Sequence, residues 1–192
     1  SVSFALVLIL SAYSYSEFAT DKFHKNHKRI FLIQQADNFI YTPALLKNTV
    51  DNISGVEKSI RIRDMWNPPV YKAKDEDPVN SDLIFADKQF FDFFDYQASE
   101  GNLKAALNEP MSVCISESLA ARLFGNTPAL GKTIKLNNTH LLTVSAVFKE
   151  QESNTTLSFH SICNLETMQR VQPSPDDFTH WDYNNYQTFV LL

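Results

Sequence analysis

The chain has 192 residues, enough for one large domain or two small subdomains. Its 17 Lys and Arg against 22 Asp and Glu leave a net charge of −5. With no basic arm and no Lys/Arg-rich helix, that balance argues against nucleic acid as a partner. The two cysteines, Cys114 and Cys163, are too few for a disulfide framework and too far apart for a CxxC metal pair. Both fall in expected strands, where two buried free thiols are the plain reading and one disulfide the alternative.

Residues 2–13, VSFALVLILSAY, are almost wholly apolar. A bilayer span needs about 20 such residues. The run therefore reads as the outer end, within residues 1–16, of a transmembrane helix whose first half lies before Ser1; a buried core helix is the alternative. Ser1 at the start and the abrupt finish at Leu192 read as cut points. Lys22, Lys25, Lys28 and Arg29 follow, with His24 and His27 spaced to share one helical face. No third metal ligand accompanies them, so a solvated basic face is expected. Residues 30–34 read as a strand. Thr42 and Pro43 suit the cap and first position of a helix. Leu46, Val50 and Ile53 form its apolar stripe, and Gly55 stops it. Residues 56–63 are the next strand, with Ile60 and Ile62 inward and Arg61 and Arg63 outward. Together these make a βαβ unit, whose strands should be parallel. Trp66, Asn67, Pro68 and Pro69 break the chain, and the charged residues 72–82 read as a loop at a subdomain boundary.

Residues 83–86 form a short strand. Phe90, Phe91, Phe93 and Phe94 then follow a helical core stripe with Asp87 as its cap. Lys104, Ala105 and Leu107 continue a short helix stopped by Pro110. Met111, Val113 and Ile115 alternate with Ser112, Cys114 and Ser116, the period of a strand. Ser116 caps the next helix, Glu117 sits in its first turn, and Leu119, Ala120 and Leu123 share its buried face. Gly125 ends it. Residues 133–136 are a strand, and Asn137-Asn138 is a tight hairpin turn. In the return strand Leu142, Val144, Ala146 and Phe148 line one face, and both faces are expected to be covered. Residues 150–156 are a polar loop, 157–164 a strand, 165–171 a short helix, 173–177 a breaker and 186–192 a final strand.

Residues 125–133, GNTPALGKT, imitate a phosphate-binding P-loop. That motif needs four residues between its glycines, a strand before it and a helix after it. Here five residues intervene, a helix precedes and a strand follows. A helix stop and a turn account for every residue. The five histidines (His24, His27, His140, His160, His180) lie outside any GxSxG or HExxH context. The acidic runs at residues 75–77 and 176–177 read as solvated loops. Trp66, Trp181 and Tyr183 could rim a ligand groove or plug a subdomain junction. The Asn-x-Ser/Thr triplets at Asn52, Asn137 and Asn154 carry no weight for a bacterial source.

The string ISESLAARLFGNTPALGKTIKLNN, followed after two residues by LLTVSAVFKE, resembles the extracytoplasmic core domain of MacB/FtsX-like ABC transporter permeases. Ser116, Glu117, Ala120, Phe124, Gly125, Gly131, Lys132, Val144 and Val147 stand at positions matching the family block and its hairpin; Ala146 stands where the family usually has glycine. DKQFFDFFDYQASEGN, EPMSVCIS and SEFATDKFHKNHKRIF are similar to the family too. The expected fold is α+β. It has a βαβ-type membrane-proximal subdomain, residues 17–73 and 183–192, incomplete at its C-terminus, and an inserted strand-rich subdomain, residues 74–182. The resemblance implies the outer domain of an ABC-type permease of the inner membrane, facing the periplasm. It would relay ATPase-driven motion of transmembrane helices and contact partner proteins or substrate. The implied partners are an ABC ATPase subunit or domain, a permease dimer partner and a periplasmic adaptor. It implies no enzyme activity, catalytic residue, cofactor or metal. The basic run at residues 22–29 would by the positive-inside rule face the cytoplasm; the resemblance places it outside. A stand-alone membrane-anchored ligand- or peptide-binding module is the alternative.

Overall fold

One mixed sheet of twelve strands organises residues 21–74, 76–151 and 155–192, which the computed structural model describes. The expected transmembrane end, residues 1–16, lies outside them. The strands are β1 (Ile30–Leu32), β2 (Thr42–Pro43), β3 (Lys58–Asp64), β4 (Val70–Ala73), β5 (Val79–Asn80), β6 (Ile84–Ala86), β7 (Ala98–Gly101), β8 (Ser112–Ser116), β9 (Thr133–Leu136), β10 (His140–Phe148), β11 (Ser161–Asn164) and β12 (Asn184–Leu191). Five short helices join them: α1 (Leu46–Val50), α2 (Phe90–Phe93), α3 (Leu103–Ala106), α4 (Glu117–Phe124) and α5 (Leu165–Val171). The order across the sheet is β1-β12-β3-β6-β11-β8-β10-β9-β4-β5, with β2 beside β12 and β7 beside β10. This is the α+β class read from the sequence.

The βαβ unit is present in split form. β12 runs antiparallel to both β1 and β3 and lies between them. β1 and β3 therefore share a direction without touching. The helix expected from Thr42 starts later. Thr42 is fully buried, and its hydroxyl donates to the Tyr186 carbonyl at 3.0 Å and meets the Thr188 hydroxyl at 2.7 Å. A hydroxyl engaged across strands cannot cap a helix, so residues 42–43 pair with β12 instead. Helix α1 begins at Leu46 without a side-chain cap, and Ile53, expected in its stripe, is exposed. The expected loop at residues 72–82 takes in the end of β4 and all of β5, which pair as a hairpin, and β4 pairs with β9 at the far side of the sheet.

The middle of the chain follows its local signals. The Ser116 hydroxyl accepts from the Leu119 amide and caps α4, and Gly125 ends that helix at φ +59°. Asn137 and Asn138 both take positive φ, as a two-residue hairpin turn demands. The Asn164 side chain caps α5 through the Thr167 amide. The strand expected over 157–164 shortens to β11.

Strands β6, β8 and β11 are covered on both faces, and so is the end of β10 from Ala146 to Phe148; in its first half Leu141 and Thr143 are exposed, so the expected double cover holds for only part of that strand. One buried cluster holds Val113, Ile115, Leu119, Leu123, Leu142, Val144, Cys163 and Tyr186. The other holds Ile60, Ile62, the four phenylalanines of residues 90–94, Cys114, Ile162 and Phe148. The two cysteines thus face opposite sides of the sheet and are free thiols. Strand β10 changes face midway. Val144 pairs with Val113 and Ala146 with Cys114, so Ser145 is an extra residue, a β-bulge. The bulge moves Ala146 and Phe148 into the second cluster and Val147 into the first, so Leu142, Val144, Ala146 and Phe148 do not share one face.

Beside that bulge, β7 crosses at Gly101. Its φ is +77°, and a Cβ there would sit 2.9 Å from the Ser145 carbonyl oxygen and 3.2 Å from Ala146 Cα. Both are backbone atoms that cannot step aside. Gly101→Ala should cost about 2–3 kcal/mol in urea unfolding, the left-handed penalty plus the clash. At Gly125 no atom lies within 4 Å of such a Cβ, but φ +59° with ψ −128° is mirror-β backbone that only glycine adopts readily, so Gly125→Ala should cost about 1–3 kcal/mol from backbone strain alone.

Candidate functional site

Alternation along β3 sends Ile60 and Ile62 into the core and Arg61 and Arg63 to the other face. That face is not solvent: the two arginine side chains keep only 15% and 12% of their exposure. Arg61 donates from Nη2 to Asp87 Oδ1 at 2.7 Å, from its backbone N–H to Oδ2 at 2.8 Å, and from Nη1 to the Ala44 carbonyl at 3.1 Å. Asp87 is therefore the partner of Arg61 and not the helix cap; Gln89 occupies the cap position of α2. Arg63 Nη1 pairs with Asp177 Oδ2, which also accepts from the Tyr186 hydroxyl at 3.2 Å, while Asp177 Oδ1 accepts from Asn185 Nδ2 at 3.2 Å. Arg61 lies over the Phe178 ring and Arg63 over the Tyr186 ring. Asp177, expected in a solvated run, is fully buried. Burial pushes the Tyr186 hydroxyl above its ordinary pKa against the pull of both arginines, which keeps it a proton donor. These pairs pin residues 175–178, a short 3-10 helix, to β3.

The basic stretch at residues 21–29 is lashed to the body, and His24 is buried in it. His24 Nδ1 accepts from the Asp95 backbone N–H at 3.0 Å, and its ring packs on Phe23, Phe94 and Tyr96. The Lys25 amide donates to Asp95 Oδ2 at 2.7 Å. Asp21 accepts from the Thr156 hydroxyl at 2.5 Å and amide at 3.0 Å. This corrects the expected solvated face for His24, and the stretch forms turns without a shared helical face. A cavity of about 190 Å³ opens here, lined by Asp21, His24, His27, Ile30, Phe94 and Phe189. Burial holds the His24 imidazole below its ordinary pKa, against the pull of Asp21 and Asp95 and with the push of His27.

The P-loop imitation is occupied by the chain itself. The Ala129 and Leu130 amides donate to Glu100 Oε2 at 3.0 and 2.8 Å, and Lys132 lies over the Phe124 ring. A carboxylate from β7 thus takes the amides a phosphate would need. His160 gathers partners that its sequence context does not reveal. Nδ1 lies 2.6 Å from Asp82 Oδ1 and Nε2 3.3 Å from Glu150 Oε1, and the Ser118 hydroxyl donates to that same Glu150 oxygen at 2.5 Å. Glu150 stands between the serine and the imidazole, so the histidine has no nucleophile to deprotonate. Among the described residues no group of three or more His, Cys, Asp or Glu is placed to hold a metal. Burial pushes the Cys114 thiol up to about 12 and Cys163 higher than its ordinary value, so neither is a ready thiolate. Trp66 stacks on Tyr41 and is 72% exposed; Trp181 and Tyr183 are also exposed.

Residues 1–192 match the family described as the MacB-like periplasmic core domain. The fold is similar to a domain of a protein described as a permease from Porphyromonas gingivalis, with 21% identity, TM-score 0.76, and coverage of 88% of this chain and 77% of that one. It is similar to the periplasmic region of MacB from Actinobacillus actinomycetemcomitans, with 16% identity, TM-score 0.62, and coverage of 85% and 72%. It is also similar to the extracellular domain of the ABC-type transporter YknZ from Gram-positive bacteria, with 15% identity, TM-score 0.57, and coverage of 84% and 80%. No curated protein matches the chain significantly.

Asp177→Ala strands Arg63 without its buried partner and should cost about 3–5 kcal/mol in urea unfolding. His24 supplies a pH dependence. Its folded pKa lies below the unfolded value of about 6.5, so below that pH the unfolded state binds the extra proton. The His24 contribution should be constant above about pH 7 and be lost as pH falls below about 6.5, and His24→Gln should remove that part of the slope in thermal melts.

Proposed function

The chain belongs to the MacB-like periplasmic core domain family, and from that premise we propose that it relays the ATPase-driven motion of an ABC permease's transmembrane helices to partners outside the membrane. The reading gives it a mechanical task with no catalytic residue. Its partners are an ABC ATPase subunit or domain, a second permease copy and a periplasmic adaptor. It places the domain on the periplasmic side of the inner membrane.

One observation carries the reading. Arg29, just before β1, and Leu192, just after β12, are fastened to each other at one edge of the sheet. The Leu192 amide donates to the Arg29 carbonyl at 3.0 Å, and the Arg29 guanidinium holds the Leu192 carbonyl and, at 2.7 Å, Glu57. Residues 21–25 are tied to Asp95 and Thr156 by the bonds described above. A pull on either flank therefore moves a packed sheet and not a loose tether. The division into a membrane-proximal part, residues 17–73 with 183–192, and an inserted part, residues 74–182, belongs to the same proposal. It is supported by the grouping of β1, β12 and β3 at one end of the sheet. The position of β4 beside β9 favours drawing its first boundary before residue 70.

Lys104 is 76% exposed, and Cys114 and Cys163 are buried, so within these 192 residues a Lys104→Cys variant of the intact permease takes dye at position 104, any reactive cysteine elsewhere in the permease being replaced first. Energy transfer from that dye to a labelled lipid headgroup should change when the partner ATPase binds nucleotide and stay constant when its nucleotide-binding lysine is removed. Constant transfer during ATP turnover would overturn the relay.

A further inference from the structure

The outer face of the β4–β9–β10 corner carries a charge pattern that its own fold does not satisfy. Lys72 of β4 and Lys135 of β9 are direct register partners, and Lys135 in turn faces Leu141 of β10. Tyr71, Ala73, Ile134 and Leu136 point the other way into the core, so the lysines stand on the solvent side. Like charges directly opposite destabilise a strand pair, and opposite charges are the usual arrangement. Among the described residues none of Lys72, Lys74 and Lys135 makes an ion pair, although the chain is acidic overall, at −5. The three lysines, Thr133 and Asn138 surround a hollow of about 400 Å³, and Leu141 at its edge is 56% exposed.

We propose that this hollow binds an extended, carboxylate-rich segment of a partner protein. Lys72 is on β4 and Lys74 is in the turn that follows it, so the two ammonium groups mark out an interval along one rim of the hollow that successive side chains of an extended peptide can match. A single phosphate is too compact to span that interval. Acidic residues at alternate positions would each face one lysine, and Lys135 would hold the segment from the side. Leu141 offers contact to an apolar residue between them. The segment supplies the negative charge that the Lys72–Lys135 pair lacks, so binding relieves a repulsion already present in the free protein. This stands on the lysine geometry and holds whether or not the domain relays motion.

The test is fluorescence anisotropy at low salt, with the 192-residue chain and two labelled peptides of equal composition. One alternates glutamate with valine; in the other the glutamates are contiguous. The alternating peptide should bind more tightly, and a Lys72→Gln/Lys135→Gln variant should weaken it by about tenfold or more. Lys104→Gln, at a lysine paired with Asp92 elsewhere, should leave binding unchanged. Lys72→Glu should raise the melting temperature by about 1–4 °C, because it turns a repulsive pair into an attractive one. Equal binding by wild type and the double variant, or by the two peptides, would overturn the proposal. So would lysine-dependent capture of phosphatidylglycerol vesicles in preference to peptide, which would assign the face to lipid. Self-association abolished by the double variant would assign it to a second copy of the chain.

Discussion

The insertion of β12 between β1 and β3 is the constraint on which the rest depends. Residues 184–191 must run antiparallel to residues 30–32 on one side and to 58–64 on the other, across most of the length of the chain. Everything from β4 to α5 is an excursion made between those pairings. Closing so large a loop costs entropy that grows only slowly with length, so the excursion can hold eight strands and four helices without preventing closure. The same insertion brings Arg29 and Leu192 side by side. The meeting of Arg29 and Leu192 is thus a product of strand order.

What holds the excursion against that meeting point is burial on both faces of the central sheet, together with largely buried charge pairs. The central strands β8 and β11 are buried on both faces although serines and cysteines alternate with their apolar residues. The bulge at Ser145 lets one strand serve both clusters in turn. The arginines of β3 are retained on the buried side because each finds a carboxylate from far along the chain. Isolated buried charges would be expensive; paired and hydrogen-bonded ones are tolerated and fix a unique arrangement of the segments that carry them. In this protein they fix residues 175–178 against β3.

The sequence declared the elements whose signals are local. The Ser116 cap, the Asn137-Asn138 turn, the phenylalanine stripe of α2 and the bounds of α5 all depend on residues within one or two turns of each other. The α+β class and the family resemblance rested on the order of such fragments and were equally legible. What was hidden depended on partners distant in the chain. Thr42 looked like a helix cap because nothing nearby announces Thr188. Asp177 looked solvated because Arg63 lies 114 residues away. The same applies to His24 with Asp95, Asp87 with Arg61 and His160 with Asp82. The β4–β5 hairpin was masked by its lysines and acids, which suit a strand whose outer face is wet. The bulge at Ser145 could not be read at all, since alternation assumes a regular strand.

A lever must be stiff between the point where force enters and the point where it is delivered. In the relay proposed above, the entering end is β1, β12 and β3, and the body is the sheet around β8 and β10. Native-state hydrogen exchange across a denaturant series measures whether they open together. The account predicts that the amides of β12 and those of β8 exchange through one common opening, with the same free energy and the same denaturant dependence. Exchange of β12 through a separate opening of much lower free energy, with β8 still protected, would contradict it.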